Sequence, residues 1–268
     1  MKKNITFAIG SGRCGTTFLH KLFNKHNDIA SFHERYPNLE TFYRYSKFNK
    51  LKIDEEPFFS IMEESIINDL KEKKISFESS NWLSFHVQEL FKKFNCKFIV
   101  LLRNPQSVIE SFIRVKDLYS MNILKGNNSF AAGYQYYEYR NNSLRPHHNF
   151  SRLVPKNSKI FKKWILSPQK IKIYWYWEEV YNYIFNSLKK IPKNNYKIVK
   201  VEDLNYENYK KISKWIGSDF YLSEIRYKLI NYSYKKKKII WTKKEKKLFN
   251  SFKSKINKNF YDMKFKEI

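Results

Sequence analysis

The stretch Gly10-Ser11-Gly12-Arg13-Cys14-Gly15-Thr16-Thr17 constrains this chain more than any other. A short apolar run, Ile5 to Ile9, precedes it, and an amphipathic segment, Phe18 to Phe23, follows. Strand, glycine-rich turn and helix in that order aim backbone N–H groups and the positive end of a helix dipole at a bound anion. A nucleoside-triphosphate loop needs Gly, four residues, Gly, then Lys and Ser or Thr. Gly10 and Gly15 meet that spacing, but Thr16 occupies the lysine position. Because that lysine reaches the outer phosphates and the hydroxyl after it holds Mg²⁺, its loss suits the loop to a shorter anion held without metal. Arg13 restores one fixed charge, with a planar fork able to pair two oxygens at once.

Apolar and β-branched runs predict strands at 5–9, 29–33, 74–78, 97–102 and 197–201, and helical periodicity falls at 15–26, 57–72, 84–94, 105–115, 177–190, 207–215 and 243–257. Such alternation implies an α/β fold: a parallel central sheet of about five strands with helices on both faces. Ligands of these sheets bind at the carboxyl ends of the strands, which is where Gly10, Glu34 and Arg103 all fall.

A chain of 268 residues can bury one sizeable core, and no Pro, Gly or Ser-rich linker divides it, so a single domain over 1–268 is expected. Its 42% hydrophobic and 18% aromatic content excludes a disordered chain. No apolar run approaches the 18 or so residues that span a bilayer, and Met1 to Asn4 is too short for a signal peptide. The expected location is therefore cytoplasmic, in soluble form. The formal charge of +27 invites a nucleic-acid reading through counterion release. Lysine, however, supplies 43 of the 52 basic residues, and Asn and Ile are abundant too, as an AT-rich coding sequence would give regardless of function. Two cysteines, Cys14 in the loop and Cys96 opening a strand, indicate no disulfide framework. A helix N-terminus would lower the pKa of Cys14, yet no well-placed His partner marks it as a nucleophile.

Ser11-Gly12-Arg13-Cys14-Gly15-Thr16-Thr17 resembles the 5′-phosphosulfate loop of sulfotransferases that use 3′-phosphoadenosine 5′-phosphosulfate (PAPS). Lys97 to Pro105, with Ser107 and Ser111, is similar to that family's 3′-phosphate element, a strand ending in Arg-(Asp/Asn)-Pro with a Ser eight residues after the Arg. Phe32-His33-Glu34 resembles the end of the second strand, where many members carry an acidic catalytic residue. Phe77-Glu78-Ser79-Ser80-Asn81 is similar to the F-E-K-S stretch, with Ser79 where several members have Lys. Val201-Glu202-Asp203-Leu204 and Trp215-Ile216-Gly217 resemble later elements, so the likeness covers roughly 4–265.

The resemblance implies a PAPS-dependent sulfotransferase with PAPS as sulfuryl donor, the bisphosphate PAP as product and no metal. Ser11, Gly12, Arg13, Cys14, Gly15, Thr16 and Thr17 would form the 5′-phosphosulfate site, with Arg13, Thr16 and Thr17 donating to its oxygens. Arg103 and Ser111 would hold the 3′-phosphate. Glu34 is the expected general base on a hydroxyl acceptor, expected to be a carbohydrate. His33 competes for that role because imidazole titrates near neutrality, although strand alternation points the two to opposite faces. With Ser79 in place of Lys, Arg13 or a late-chain lysine would stabilise the transferring group, so Arg13 is also a catalytic expectation.

The segment 118–157, with Tyr134, Tyr136, Tyr137 and Tyr139, is the expected acceptor-binding insert. His147 and His148 are adjacent, not at the i, i+4 spacing of a helical metal site, and Lys235 to Lys238 reads as a solvated charge run that could close over the nucleotide. Long amphipathic C-terminal helices are compatible with a homodimer. Two other functions stay open on the sequence: a P-loop kinase using ATP and Mg²⁺, and a non-catalytic basic protein binding nucleic acid or anionic surfaces.

Overall fold

Five parallel strands, β1 (Asn4–Ile9), β2 (Ile29–His33), β3 (Ile75–Ser79), β4 (Lys97–Leu102) and β5 (Tyr196–Lys200), form one sheet in the order β2-β3-β1-β4-β5. The computed structural model describes residues 4–114, 150, 152–230 and 239–251. Ten helices lie among them: α1 (Thr16–Phe23), α2 (Pro37–Asn49), α3 (Glu56–Glu72), α4 (Val87–Phe94), α5 (Pro105–Arg114), α6 (Ser158–Ile165), α7 (Gln169–Leu188), α8 (Tyr206–Ile216), α9 (Glu224–Ile230) and α10 (Lys243–Ser251). Each strand lies within one residue of its expected position.

Strands covered on both faces read as unbroken apolar runs, and β4, Lys97-Phe98-Ile99-Val100-Leu101-Leu102, buries five of its six residues. Its alternate side chains enter two separate cores. Phe98, Val100 and Leu102 join Phe7 and Ile9 under α3, α4, α5 and α7, while Ile99 and Leu101 join Ala8, Leu19 and Phe23 under α1 and α8. Each such side chain contributes roughly 1.5–3 kcal/mol on burial. The chain leaves β1 towards β2 and β3 on one side, then crosses to β4 on the other. A crevice therefore opens above the carboxyl ends of β1 and β4, the place where open α/β sheets take their ligands.

Three helices escape the sequence reading: α2, α6 and α9. The core face of α2 is mixed, burying Tyr43 and Phe48 beside Glu40, Thr41, Arg44 and Ser46, so no clean apolar stripe betrays it. Arg44 is tolerated there because its guanidinium lies over the Trp82 ring and donates to the Tyr176 hydroxyl at 2.7 Å. Helix α7 starts eight residues earlier than expected, at Gln169 rather than 177. The expected helix 84–94 divides into a 3-10 turn, Trp82–Phe85, and α4. The Tyr-rich part of the expected insert, His147, His148, Lys235 to Lys238 and the stretch 252–257 lie outside the described residues.

Candidate active site

The loop after β1 is held open by a missing side chain. A Cβ at Gly10 would stand 2.4 Å from Cys14 Sγ and 2.7 Å from the Leu101 carbonyl oxygen, so any larger residue displaces the loop. Ser84 Oγ donates to the Gly10 carbonyl at 2.7 Å and anchors the turn from below. Gly15, with φ at 95°, supplies the left-handed residue that starts α1. Arg13 is left-handed as well, at φ 53°, a strained conformation that costs about 1–3 kcal/mol and concentrates at functional sites. Its carbonyl accepts from Arg103 Nη1 at 2.7 Å, and its own Nε–H donates to Ser111 Oγ at 3.1 Å.

That last contact sets the Arg13 side chain against α5. The strained backbone carries its fork to α5, so Arg13, Arg103 and Ser111 form one basic cluster over the crevice. Asn104 sets the start of α5 by accepting from the Ser107 N–H at 3.2 Å, with Pro105 at the first helical position. Trp177 Nε1 donates to the Arg103 carbonyl at 3.1 Å and fixes the strand end from α7.

Ser11 and Cys14 are fully buried, so they face a ligand with backbone groups alone. The Ser11 hydroxyl donates to the Gly12 carbonyl. Burial pushes the Cys14 thiol up to about 11, outweighing the nearby Arg103 charge. Burial, not the helix end, thus sets the direction of the shift, which disfavours the thiolate. Thr16 is also buried, its carbonyl accepting from Ser79 Oγ at 2.8 Å, while Thr17 is exposed.

On the other side of the loop, β2 ends at His33. The ring Nδ1–H donates to the Ser79 carbonyl at 2.6 Å, and Nε2 lies 2.9 Å from Thr17 Oγ1. Glu34 then leaves the strand at φ 53°, and its Oε1 accepts from Asn81 Nδ2 at 2.7 Å. The separation of His33 from Glu34 therefore comes from the end of the strand and a left-handed turn, not from the pleat alternation expected of the sequence. Asn81 also lies against the loop, its Oδ1 3.3 Å from where a Gly12 Cβ would be. One amide thus spans the anion loop and the carboxylate.

Behind Glu34 stand two buried carboxylates. Glu40 accepts from Ser80 Oγ and from the Tyr36 N–H, and burial, then the neighbouring Glu78, pushes its pKa up. Burial raises Glu78 too, while Arg35 pulls it back through a 3.2 Å ion pair. Arg35 is itself tied to Asp69 at 2.7 Å. Sequence reading missed Glu40, Asn81 and Ser84. Asn81 closes the F-E-S-S-N stretch and Ser84 lies three residues beyond it, while the only local signal for Glu40 was the Pro at position 37, which opens α2.

With this geometry in place, comparison with known proteins is specific. The sulfotransferase domain model matches residues 4–266, and the chain belongs to the sulfotransferase family. Sulfuryl transfer is therefore its chemistry, in a family that draws on PAPS and releases PAP, and the kinase and nucleic-acid readings fall away. The sulfotransferase from Alicyclobacillus acidocaldarius is 11% identical, aligns over 94% of this chain and 91% of its own, and shares the fold at a TM-score of 0.51. The sulfotransferase domain of the Synechococcus PCC 7002 olefin synthase is 16% identical over 81% of this chain and 74% of its own, at a TM-score of 0.45. That of the curacin biosynthetic pathway is 15% identical over 81% and 75%, also at 0.45. No curated protein matches the chain in sequence. Among the described residues no helix is long and apolar enough to cross a membrane.

Proposed function

We propose that the chain moves a sulfuryl group from PAPS to a hydroxyl acceptor, with Glu34 as general base and a carbohydrate as the acceptor class. The observation that carries this reading is the meeting of three elements on one sheet edge. The Gly10–Gly15 loop ends β1, Arg103 with Ser111 follows β4, and Glu34 follows β2.

PAPS needs two anion sites, and the residues fit both. Backbone N–H groups of the loop and the start of α1, with the Thr16 hydroxyl and the Thr17 hydroxyl when His33 releases it, suit the 5′-phosphosulfate. Arg103, Ser111 and Arg13 suit the 3′-phosphate, because the Arg13–Ser111 contact places that charge over α5. On this reading Arg13 serves the nucleotide end, whereas the sequence expectation put it at the transferring group. The carbohydrate class rests on family resemblance alone, because the Arg-containing form of the loop is similar to that of carbohydrate and tyrosyl-protein sulfotransferases.

Glu34 suits the base role because its Oε2 has no hydrogen-bond partner among the described residues, while Oε1 is steered by Asn81. His33 has both ring nitrogens engaged. Sulfuryl transfer resembles loose phosphoryl transfer, in which positioning and charge stabilisation supply most of the rate. Glu34 takes the acceptor proton, and the loop amides hold the departing 5′-phosphate.

Thermal unfolding with PAP, against ADP with and without Mg²⁺, tests the reading. At 100 times its dissociation constant PAP adds about 2.7 kcal/mol, a rise of roughly 5–10 °C for a chain of this size. No shift with PAP would refute the two-anion site, and a PAP shift without transfer to any sugar hydroxyl would remove the carbohydrate class.

A further inference from the structure

His33 has a geometry that suits neither a base nor a spectator. A carbonyl can only accept, so the contact to the Ser79 oxygen at 2.6 Å fixes a proton on Nδ1. In the neutral ring Nε2 must then accept, and the Thr17 hydroxyl 2.9 Å away donates to it. Thr17 is exposed at the second position of α1, directly after the loop. With its one O–H turned to the imidazole, it presents lone pairs, not a donor, to an anion.

Protonation reverses this arrangement. Nε2 then carries a hydrogen and can only donate, Thr17 Oγ1 accepts it, and the hydroxyl proton is released towards the ligand. We propose that His33 is a positioning residue whose protonation turns the Thr17 hydroxyl onto the 5′ end of the nucleotide, coupling proton uptake to tighter nucleotide binding. The inference rests on reading this loop as the 5′-phosphosulfate site.

The groups around the ring leave it free to act in this way. From α1, the His20 ring stacks on His33 with centroids 5.9 Å apart. The Nδ1 of His20 is engaged with Ser31 Oγ at 3.1 Å, and burial, then His33 and Lys21, shifts it downward. From β3, Glu78 is held by Arg35. Glu34, next in the chain, is turned to Asn81. No carboxylate lies within ion-pair distance of the His33 ring among the described residues.

The test is the dissociation constant of PAP for wild type, His33→Gln, Thr17→Ser and Thr17→Val across about pH 5.5 to 8. Phosphate titration near pH 6 is common to all four proteins, so the ratios between them are read. The His33→Gln to wild-type ratio is expected to rise from about 1 at high pH to about tenfold at low pH, as a hydrogen bond to a charged group implies. Thr17→Ser should keep wild-type pH dependence and Thr17→Val should lose it. A flat ratio in folded proteins, or a Thr17→Val variant that keeps the dependence, overturns the proposal. If His33→Gln fails to fold, the Thr17→Val to Thr17→Ser ratio over the same range decides it, a rise at low pH supporting and a flat line refuting. Wild type that binds no PAP at any pH overturns the reading of the loop itself, an outcome separate from PAP binding that ignores His33.

Discussion

The two sides of the sheet edge are built by different means. On the β1 and β4 side the loop, proposed as an anion cradle, takes its shape from glycine backbone, and Arg103 and Ser111 meet Arg13 across 90 and 98 positions. On the β2 and β3 side, Glu34, Asn81, Ser80 and Glu40 depend on contacts across 40 or more positions, such as Ser80 to Glu40 and Asn81 to Glu34. An anion can be bound by amides that every chain owns, provided glycines let the backbone bend. A carboxylate that must take a proton needs particular partners, and those come from wherever the fold brings them.

The sharpest break of this comparison is Glu34→Gln. If Glu34 serves only the acceptor side, kcat for sulfuryl transfer from PAPS falls about 10²–10⁴-fold while PAP affinity, measured by calorimetry, stays unchanged. Loss of PAP binding instead would merge the two sides into one.

Gly10→Ala attacks the cradle alone. Its Cβ collides with Cys14 Sγ and the Leu101 carbonyl, so we expect a destabilisation of about 1–3 kcal/mol or more and a lost PAP-induced rise in Tm. Arg103→Ala should weaken PAP by roughly tenfold to a hundredfold, the range for a hydrogen bond to a charged group, with a smaller loss of stability in urea unfolding.

Asn81→Ala probes the one residue that touches both sides. Without that hydrogen bond the Glu34 carboxylate loses the contact that steers it, so kcat should fall roughly tenfold, with PAP affinity held. An unchanged kcat would separate Asn81 from the base.

The smallest effect is expected at Glu40→Gln. Because burial raises the folded pKa of Glu40, the folded state keeps a proton that the unfolded chain releases at ordinary carboxylate pH. Its stabilising contribution is complete below the unfolded value and is lost as pH rises towards the folded one. The variant should therefore gain a few degrees in Tm at about pH 8 over wild type and little at about pH 4.5, the ordinary carboxylate value.

Legibility followed the same division. Arg103 closes an apolar run that could only be a buried strand, and Gly10 and Gly15 show their spacing at sight. Asn81 closes a stretch that the family resemblance picked out, but nothing in the sequence says that its amide reaches both the loop and Glu34. The direction of Arg13 was equally hidden, since Ser111, which receives it, lies 98 positions away. Cys14 inverted its expectation because proximity to a helix start can be read from sequence, whereas complete burial cannot.

By itself, the sequence determined the strand positions, the parallel sheet and the glycine-rich loop after the first strand, because hydrophobic periodicity and glycine conformation are local properties that adjacent residues settle between them. Tertiary structure decided which charges meet. The turn of Arg13 onto α5, the engagement of His33 with Thr17 and the steering of Glu34 by Asn81 all depend on distances between strand ends, and the packing of the two cores fixes those distances.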